Sequence, residues 1–176
     1  YEMVKGNEIE DEERMDEALV IVVLNSDTFG GTCYMYPPDN GDSANGISVA
    51  YIPAVDMKIH LSGLVQHEAC GHGFAKLADE YFEPSAPGLS SEMKQKMKEN
   101  EKYGWWSNVD FTDDPSEVKW AHILADERYA GEPEGIYEGA GNYTYGIWRP
   151  SYDSMMKDND GSFNAPSREA IWYRIH

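Results

Sequence analysis

The segment LVQHEACGHGFAKLADEYF, residues 64–82, constrains this chain more than any other. Its two histidines, His67 and His72, are five residues apart. In a regular α-helix of about 3.6 residues per turn, a five-residue step separates two side chains by roughly 140°. A single π-turn absorbs one extra residue and would bring both imidazoles onto one face. Gly71 makes such a distortion less costly, so we predict a π-bulge near Cys70 and Gly71.

A metal site would give this spacing a function. Zinc-peptidase helices of the H-E-x-x-H type carry two histidine ligands and a glutamate that acts as general base. Glu68 follows His67 directly, so it would stand beside the ion and take a proton from metal-bound water, whose pKa the ion lowers. In the alternative interpretation, His67 and Glu68 form a surface pair and His72 packs in the core.

The third ligand is less well defined. A catalytic zinc ion takes three protein ligands and leaves one position open. Asp79 lies seven residues beyond His72, and Glu80 follows it, where the helix would end and the chain turn back. The alternative is a solvated acidic turn.

Three further side chains compete for this position: His60, His122 and Glu138. His60 is two helical turns before His67 and would lie too far along the helix. The sequence does not place the segments of the other two, so they stay open.

Charge and length limit the classes of function. The chain has 176 residues and a formal net charge of −18, which disfavours binding to nucleic acid or anionic lipid. A hydrophobic content of 41% is enough for the core of one domain. The longest apolar run, Ala18–Leu24, is too short to span a membrane and predicts a buried strand. Cys33 and Cys70 form either one disulfide or two buried thiols.

The first half of the chain has an α/β pattern. Residues 7–17 are charged and predict a helix that leads into the strand at 18–24. Two more strands are expected, TCYMY at 32–36 and ISVAYIPA at 47–54. The apolar spacing over residues 57–82 is compatible with one helix interrupted by glycines.

The second half has a looser pattern. Residues 84–90 predict a linker, and residues 90–104 predict a polar helix that begins at a serine cap. The pattern of residues 119–129 fits a helix or a strand. Residues 131–152 are dense in Gly, Tyr and Pro, and we expect irregular structure there. A last helix is predicted from Ser167.

Three ordered motifs carry a resemblance to a known family. They are QHEACGHGFAKLADEYF, GIYEGAGNYTYGIWRPSYDSMM and FNAPSREAI. Together they resemble the immunoglobulin-A-peptidase type of zinc metallopeptidases found in gut bacteria such as Bacteroides and Clostridium. The motifs occur in the same order as in that family, and the resemblance covers nearly the whole chain.

The resemblance implies a metzincin-like α/β (α+β) fold. A twisted mixed sheet would pack on the active-site helix, followed by an irregular subdomain with a methionine turn, at Met155 or Met156, and a terminal helix. Residues 1–176 would form one catalytic domain, with an upper subdomain of about 1–82 and a lower one of about 83–176. The chain would be this domain alone or a piece of a longer protein.

The resemblance also assigns site residues. His67 and His72 match the two helical zinc ligands, Asp79 the third ligand, and Glu68 the general base. The chain departs from the metzincin pattern at one place. Metzincins generally have a glycine three residues after the second histidine, to turn the chain toward the third ligand, and Ala75 occupies that position here.

The implied function is that of a zinc-dependent endopeptidase that cleaves protein or glycoprotein substrates through a glutamate-activated, metal-bound water. Tyr152 is a candidate donor to the oxyanion, and residues 32–36 or 47–54 are candidate edge strands for binding the peptide. The resemblance further implies a secreted, periplasmic or cell-surface location. The alternative function is an inactive metal-holding module that binds a host or surface glycoprotein.

Overall fold

A computed structural model describes residues 17–26, 30–38, 45–54, 61–132 and 134–176. The first three elements are strands β1 (Leu19–Leu24), β2 (Thr32–Tyr36) and β3 (Ile47–Pro53). They form a mixed sheet in the order β1-β3-β2, in which β3 runs parallel to β1 and antiparallel to β2. All three predicted strands are confirmed. The predicted charged helix lies outside the described residues, apart from Glu17.

The sheet packs on a continuous helical segment that changes from α to π geometry. A short α-helix, α1 (Leu61–Leu64), continues directly into a π-helix (Val65–Phe74). Buried Ala50 and Ile52 of β3 pack against buried Leu64 and Ala69 of this helical segment. The sheet and the helix therefore share one apolar core, whose formation is driven by the removal of these side chains from water.

The prediction of one helix over residues 57–82 is wrong at its C-terminal end. The π-helix stops at Phe74, and the amide of Ala75 donates to the Cys70 carbonyl. Lys76 then has a φ of 57°, a left-handed conformation that a helix cannot continue. The chain therefore turns at Lys76, one residue after the position where metzincins have a glycine. The predicted start of the helix lies outside the described residues.

Within the described residues, the second half of the chain contains four more helical elements, in three segments where the sequence predicts or allows a helix. Helix α2 (Ser91–Glu101) begins at Ser90, whose hydroxyl accepts a hydrogen bond from the Met93 amide. Residues 119–129 are helical in part, with α3 (Ala121–Leu124) and a 3₁₀ turn (Glu127–Tyr129). The last helix, α4 (Ala165–Ile175), starts two residues before the predicted Ser167, because Asn164 rather than Ser167 is its N-cap.

The expectation of irregular structure over residues 131–152 is wrong. Strands β4 (Glu134–Ala140) and β5 (Tyr143–Ser151) form an antiparallel hairpin there. Its turn residues, Gly141 and Asn142, have φ values of 57° and 66°, as a two-residue hairpin turn with both φ positive requires. The register shifts between Glu138 and Ala140, and such a bulge interrupts the period-two pattern by which a strand is recognised.

Two further expectations concern the whole chain. Within the described residues, no helix is long and apolar enough to cross a membrane. Cys33 and Cys70 are both free thiols, so the disulfide alternative is wrong.

Candidate metal centre

The π-helix brings the two histidines of the sequence motif together. The ring centroids of His67 and His72 are 4.9 Å apart, and both residues are buried. The predicted π-geometry is therefore confirmed, although it extends over ten residues rather than one bulge. Two glycines allow the helix to pack this closely. A Cβ at Gly73 would clash with Leu19 of β1, and a Cβ at Gly71 would clash with the Met156 sulfur.

Asp79 completes a cluster with the two imidazoles. Its Oδ1 atom lies 3.1 Å from the Nε2 atom of His67 and 3.1 Å from the Nε2 atom of His72. Potential ligand atoms of all three residues lie within 4.8 Å of one another, and within the described residues this is the one His, Cys, Asp and Glu group that has such spacing. The three residues predicted as metal ligands therefore converge.

The other ring nitrogen of each histidine is fixed by the backbone. Nδ1 of His67 is 2.7 Å from the Met155 carbonyl, and Nδ1 of His72 is 2.7 Å from the Leu77 carbonyl. A carbonyl oxygen can only accept, so each Nδ1 carries the proton and donates. Each neutral imidazole then presents the lone pair of its Nε2 atom toward Asp79. Metal-binding histidines are held in this way.

The cluster therefore consists of three acceptor atoms that face one another. Two imidazole lone pairs and an ionised carboxylate oxygen repel unless a cation stands between them, either a proton on one ring or a metal ion. In the absence of a metal, His67 and His72 lower the pKa of Asp79 below its usual range even though burial acts to raise it. Burial lowers the pKa of His72, but Asp79 outweighs it and the net shift is upward.

This donor set fits a divalent transition metal. Two imidazoles and one carboxylate are ligands that Zn²⁺ accepts, and the same combination also serves Fe²⁺. Three protein ligands leave a coordination position open, which is typical of catalytic rather than structural sites. The residues present therefore fit the implied metal, and the chemistry of the donors alone leaves the element open.

Glu68 lies beside the cluster. It is 7% exposed and lines a cavity of about 320 Å³ together with His72 and Asp79. Burial is the main cause that raises the pKa of Glu68, and Asp79 adds to it, while the two histidines act against it. Gly31, which precedes β2, packs so closely on Glu68 that a Cβ there would lie 2.5 Å from its Cγ atom. The Glu68 carboxyl is thus confined at the cavity wall.

A turn at residues 154–157 lies against the π-helix. It contains both candidate methionines, Met155 and Met156, which contact the π-helix in different ways. The Met155 carbonyl fixes the His67 ring, whereas the Met156 side chain is fully buried against Gly71, Ala75 and Leu77.

The competing third ligands have other partners. Glu80 is fully buried and accepts hydrogen bonds from Asn108, Asn164 and Ser154. His122 is exposed and lies 2.9 Å from the Glu169 carboxylate.

Of the remaining two candidates, Glu138 lies within the described residues and His60 does not. The Glu138 carboxylate accepts a hydrogen bond from the Gly146 amide, and none of its atoms joins the cluster. His60 lies outside the described residues.

The sequence did not reveal Tyr81. This residue lines the same cavity as Glu68 and Asp79, where burial and then the Asp79 carboxylate raise the pKa of its phenol. Its two-residue separation from Asp79 in a non-helical segment is a signal that could have identified it, because alternate residues of such a segment face the same side. The other candidate, Tyr152, is 67% exposed and packs against Tyr137.

The cavity continues from the cluster to an apolar wall. It is formed by helix α2, the following loop and the β4–β5 hairpin, and the side chains concerned are Met93, Met97, Trp106 and Tyr143. The opposite wall is β2, which contributes Thr32, Cys33 and Met35. The cavity is therefore lined both by the polar groups of Glu68, His72 and Asp79 and by apolar side chains.

Comparison with known proteins identifies the family. The model of the IgA Peptidase M64 family matches residues 7–133 of this chain, which is more than half of its length. The chain belongs to this family of metallopeptidases, so its class is that of peptidases, which hydrolyse peptide bonds. The matched range contains the complete cluster of His67, His72 and Asp79. No curated protein matches the chain.

Proposed function

We propose that this protein is a zinc-dependent endopeptidase whose zinc ligands are His67, His72 and Asp79 and whose general base is Glu68. One observation carries the proposal: three acceptor atoms converge within 4.8 Å, with a buried carboxyl beside them in an open cavity. A structural site would have no need of this second carboxyl, that of Glu68. The π-helix, the turn that follows it and the turn containing Met156 support a metzincin-like arrangement within one catalytic domain.

The zinc ion, when bound, would polarise the scissile carbonyl and increase the acidity of water. Glu68 accepts the proton of the attacking water and afterwards delivers it to the leaving amine. Burial raises the pKa of Glu68, which makes its carboxylate a stronger base toward the proton of water. Tyr81 rather than Tyr152 donates a hydrogen bond to the oxyanion, since it lines the cavity.

The substrate would be a protein or glycoprotein. Within the part of the chain that the structure describes, strand β2 is an edge strand that pairs with β3 alone, and its residues line the cavity. A peptide can therefore pair by strand addition with the side of β2 that faces away from β3, while one of its side chains contacts the apolar residues of the cavity. A secreted, periplasmic or cell-surface location follows from the family resemblance as part of the same proposal.

The test compares the wild-type protein with Glu68→Gln. Zinc content is measured by elemental analysis, and cleavage is followed on a denatured protein substrate. We expect Glu68→Gln to retain stoichiometric zinc and to lose about 10²- to 10⁴-fold in kcat, the usual contribution of a general base. Glu138→Gln is the matched control, because this carboxylate contacts the Gly146 amide and lies outside the cluster. It should retain both zinc and activity.

Each contrary result has a different meaning. Cleavage by Glu68→Gln at the wild-type rate would exclude Glu68 as the base. A wild-type protein that fails to bind zinc would refute the ligand assignment. A wild-type protein that binds zinc and cleaves no substrate would favour the alternative, a metal-holding module that binds a glycoprotein.

A further inference from the structure

Glu80 is adjacent to the proposed ligand Asp79 but has a different environment. Its side chain is 0% exposed. One carboxylate oxygen is 2.9 Å from Asn108 Nδ2, and the other is 2.8 Å from Ser154 Oγ. Asn164 Nδ2 lies 2.9 Å from both oxygens. An ionised carboxylate offers acceptor sites and no donor, so it matches these converging donors.

The charge of this carboxylate is balanced inside the protein. Burial raises the pKa of Glu80, and its hydrogen bonds oppose this upward shift only in part. The Arg149 guanidinium is 5% exposed, and burial lowers its pKa, while the negative charge of Glu80 opposes that shift in part. A buried carboxylate with this many donors and a nearby cation is strongly fixed in position, since its removal would leave those groups unpaired.

Hydrogen bonds of Glu80 and of its partner Asn108 fix the backbone on both sides of Asp79. Asn108 accepts from the Ala78 amide at 2.8 Å and donates to the Ala78 carbonyl at 2.9 Å, and the same Asn108 amide group donates to Glu80. The Glu80 amide donates to the Met156 carbonyl at 2.7 Å. Asp79 is therefore held between two anchored residues.

The same contacts connect Asp79 to the turn that orients His67. Ser154 begins the turn at residues 154–157, and the Met155 carbonyl in that turn accepts the hydrogen bond from His67 Nδ1. Glu80 thus connects the Asp79 segment to the turn that holds the His67 ring. The Leu77 carbonyl, which lies three residues before Glu80 in the chain, accepts the hydrogen bond that orients the His72 ring.

We propose that Glu80 is the positioning residue of the metal site, which fixes the Asp79 ligand relative to the turn that holds the His67 ligand. Glu80 does not touch the ion. It acts through the backbone of Asp79 and through Ser154. The inference rests on the proposed metal site, and it goes beyond that proposal by assigning the function of the carboxylate that neighbours the third ligand.

The experiment measures metal affinity in Glu80→Gln. This variant keeps the size of the side chain but presents an amide NH₂ to groups that are themselves donors. Zinc affinity is determined by competition with a chelator, and the absorption spectrum of the Co²⁺-substituted protein reports the ligand geometry. We expect zinc affinity to fall about 10- to 100-fold, as for other residues that orient metal ligands, with a changed Co²⁺ spectrum. Peptidase activity should recover when excess zinc is added.

Asp110→Asn is the matched control. The Asp110 carboxylate accepts hydrogen bonds from the backbone amides of Phe111 and Lys119, and within the described residues none of the Asp110 hydrogen bonds reaches the Asp79 segment or the turn at 154–157. Its substitution is expected to lower the free energy of unfolding and leave zinc affinity unchanged. A loss of affinity in Glu80→Gln alone would therefore separate positioning of the metal ligand from general destabilisation.

Ser154→Ala provides a second and milder test if Glu80→Gln does not fold. It removes one donor from Glu80 and should lower zinc affinity in the same direction by a smaller factor. Wild-type zinc affinity in Glu80→Gln, or in Ser154→Ala if only that variant folds, would overturn the inference while the proposed peptidase stands. A wild-type protein without zinc affinity would instead refute the proposed metal site itself.

Discussion

Gly71→Ala tests why the π-helix carries a glycine between its two histidines. A Cβ at this position would overlap the sulfur of Met156 and lie 2.9 Å from its methyl carbon. Met156 cannot retreat easily, because it is 0% exposed and packs with buried Ala75 and Leu77. The structure thus attributes the glycine to the close approach of Met156 rather than to backbone freedom.

The expected change in the free energy of unfolding follows from the packing around Gly71. Inserting a methyl group into a filled core costs about 1–3 kcal/mol, so Gly71→Ala should lower the free energy of unfolding by that amount. Met156→Ala removes the overlapping atoms and should cost about 2–5 kcal/mol by itself. In that background the added methyl group has room, and alanine is favoured over glycine in a helix by about 0.5–1 kcal/mol. Gly71→Ala should then stabilise the protein.

The assay is urea unfolding of the two single variants and the double variant, combined as a double-mutant cycle. Gly131→Ala is the control, because a Cβ at Gly131 would have no atom within 4 Å. The reasoning is refuted if Gly71→Ala costs 1 kcal/mol or more in the Met156→Ala background. That outcome would show that the backbone of the π-helix, and not the contact with Met156, requires glycine.

Two further predictions concern other residues. Tyr81→Phe should lower kcat about 10²- to 10³-fold with KM and zinc content unchanged, as loss of an oxyanion donor does, and a kcat within twofold of wild type would exclude this role. Burial and the nearby Arg174 lower the pKa of Lys76 from 10.5 to about 8. Between these two pKa values the unfolded chain keeps the Lys76 proton and the folded protein has lost it. The free energy of unfolding should therefore rise by about 3 kcal/mol between pH 8 and pH 10.5 because of Lys76. Lys76→Met should abolish that rise in unfolding measurements across this range, and an unchanged pH slope would contradict the assignment.

Local signals in the sequence predicted much of the fold. The three strands of the first sheet follow from their apolar and β-branched residues, and α2 follows from its Ser90 cap. The five-residue spacing of the histidines predicted π-geometry, because no regular α-helix brings such a pair together. These features depend on residues close in the chain, so a pattern is enough to reveal them.

Other features depend on contacts between distant residues. The β4–β5 hairpin was not predicted from the sequence, because its bulge between Glu138 and Ala140 interrupts the alternation of inward- and outward-facing residues by which a strand is recognised. The end of the active-site helix was misplaced because Lys76, a good helix former, is held at a φ of 57° by tertiary contacts. Its Nζ donates to the Gly46 carbonyl at 2.7 Å, and its carbonyl accepts from Trp106.

The sequence could not distinguish the roles of Asp79 and Glu80, and only the tertiary structure does so. The sequence determined that a carboxylate follows the two histidines at the right distance, but it offered two adjacent ones of the same chemistry. In the structure Asp79 faces the Nε2 atoms of both imidazoles, while Glu80 faces donors that arrive from residues 108, 154 and 164. Those donors are far away in the chain. Only folding brings them to one point, and their hydrogens, which need an acceptor, determine which carboxylate is buried among them and which is left to face the two imidazoles.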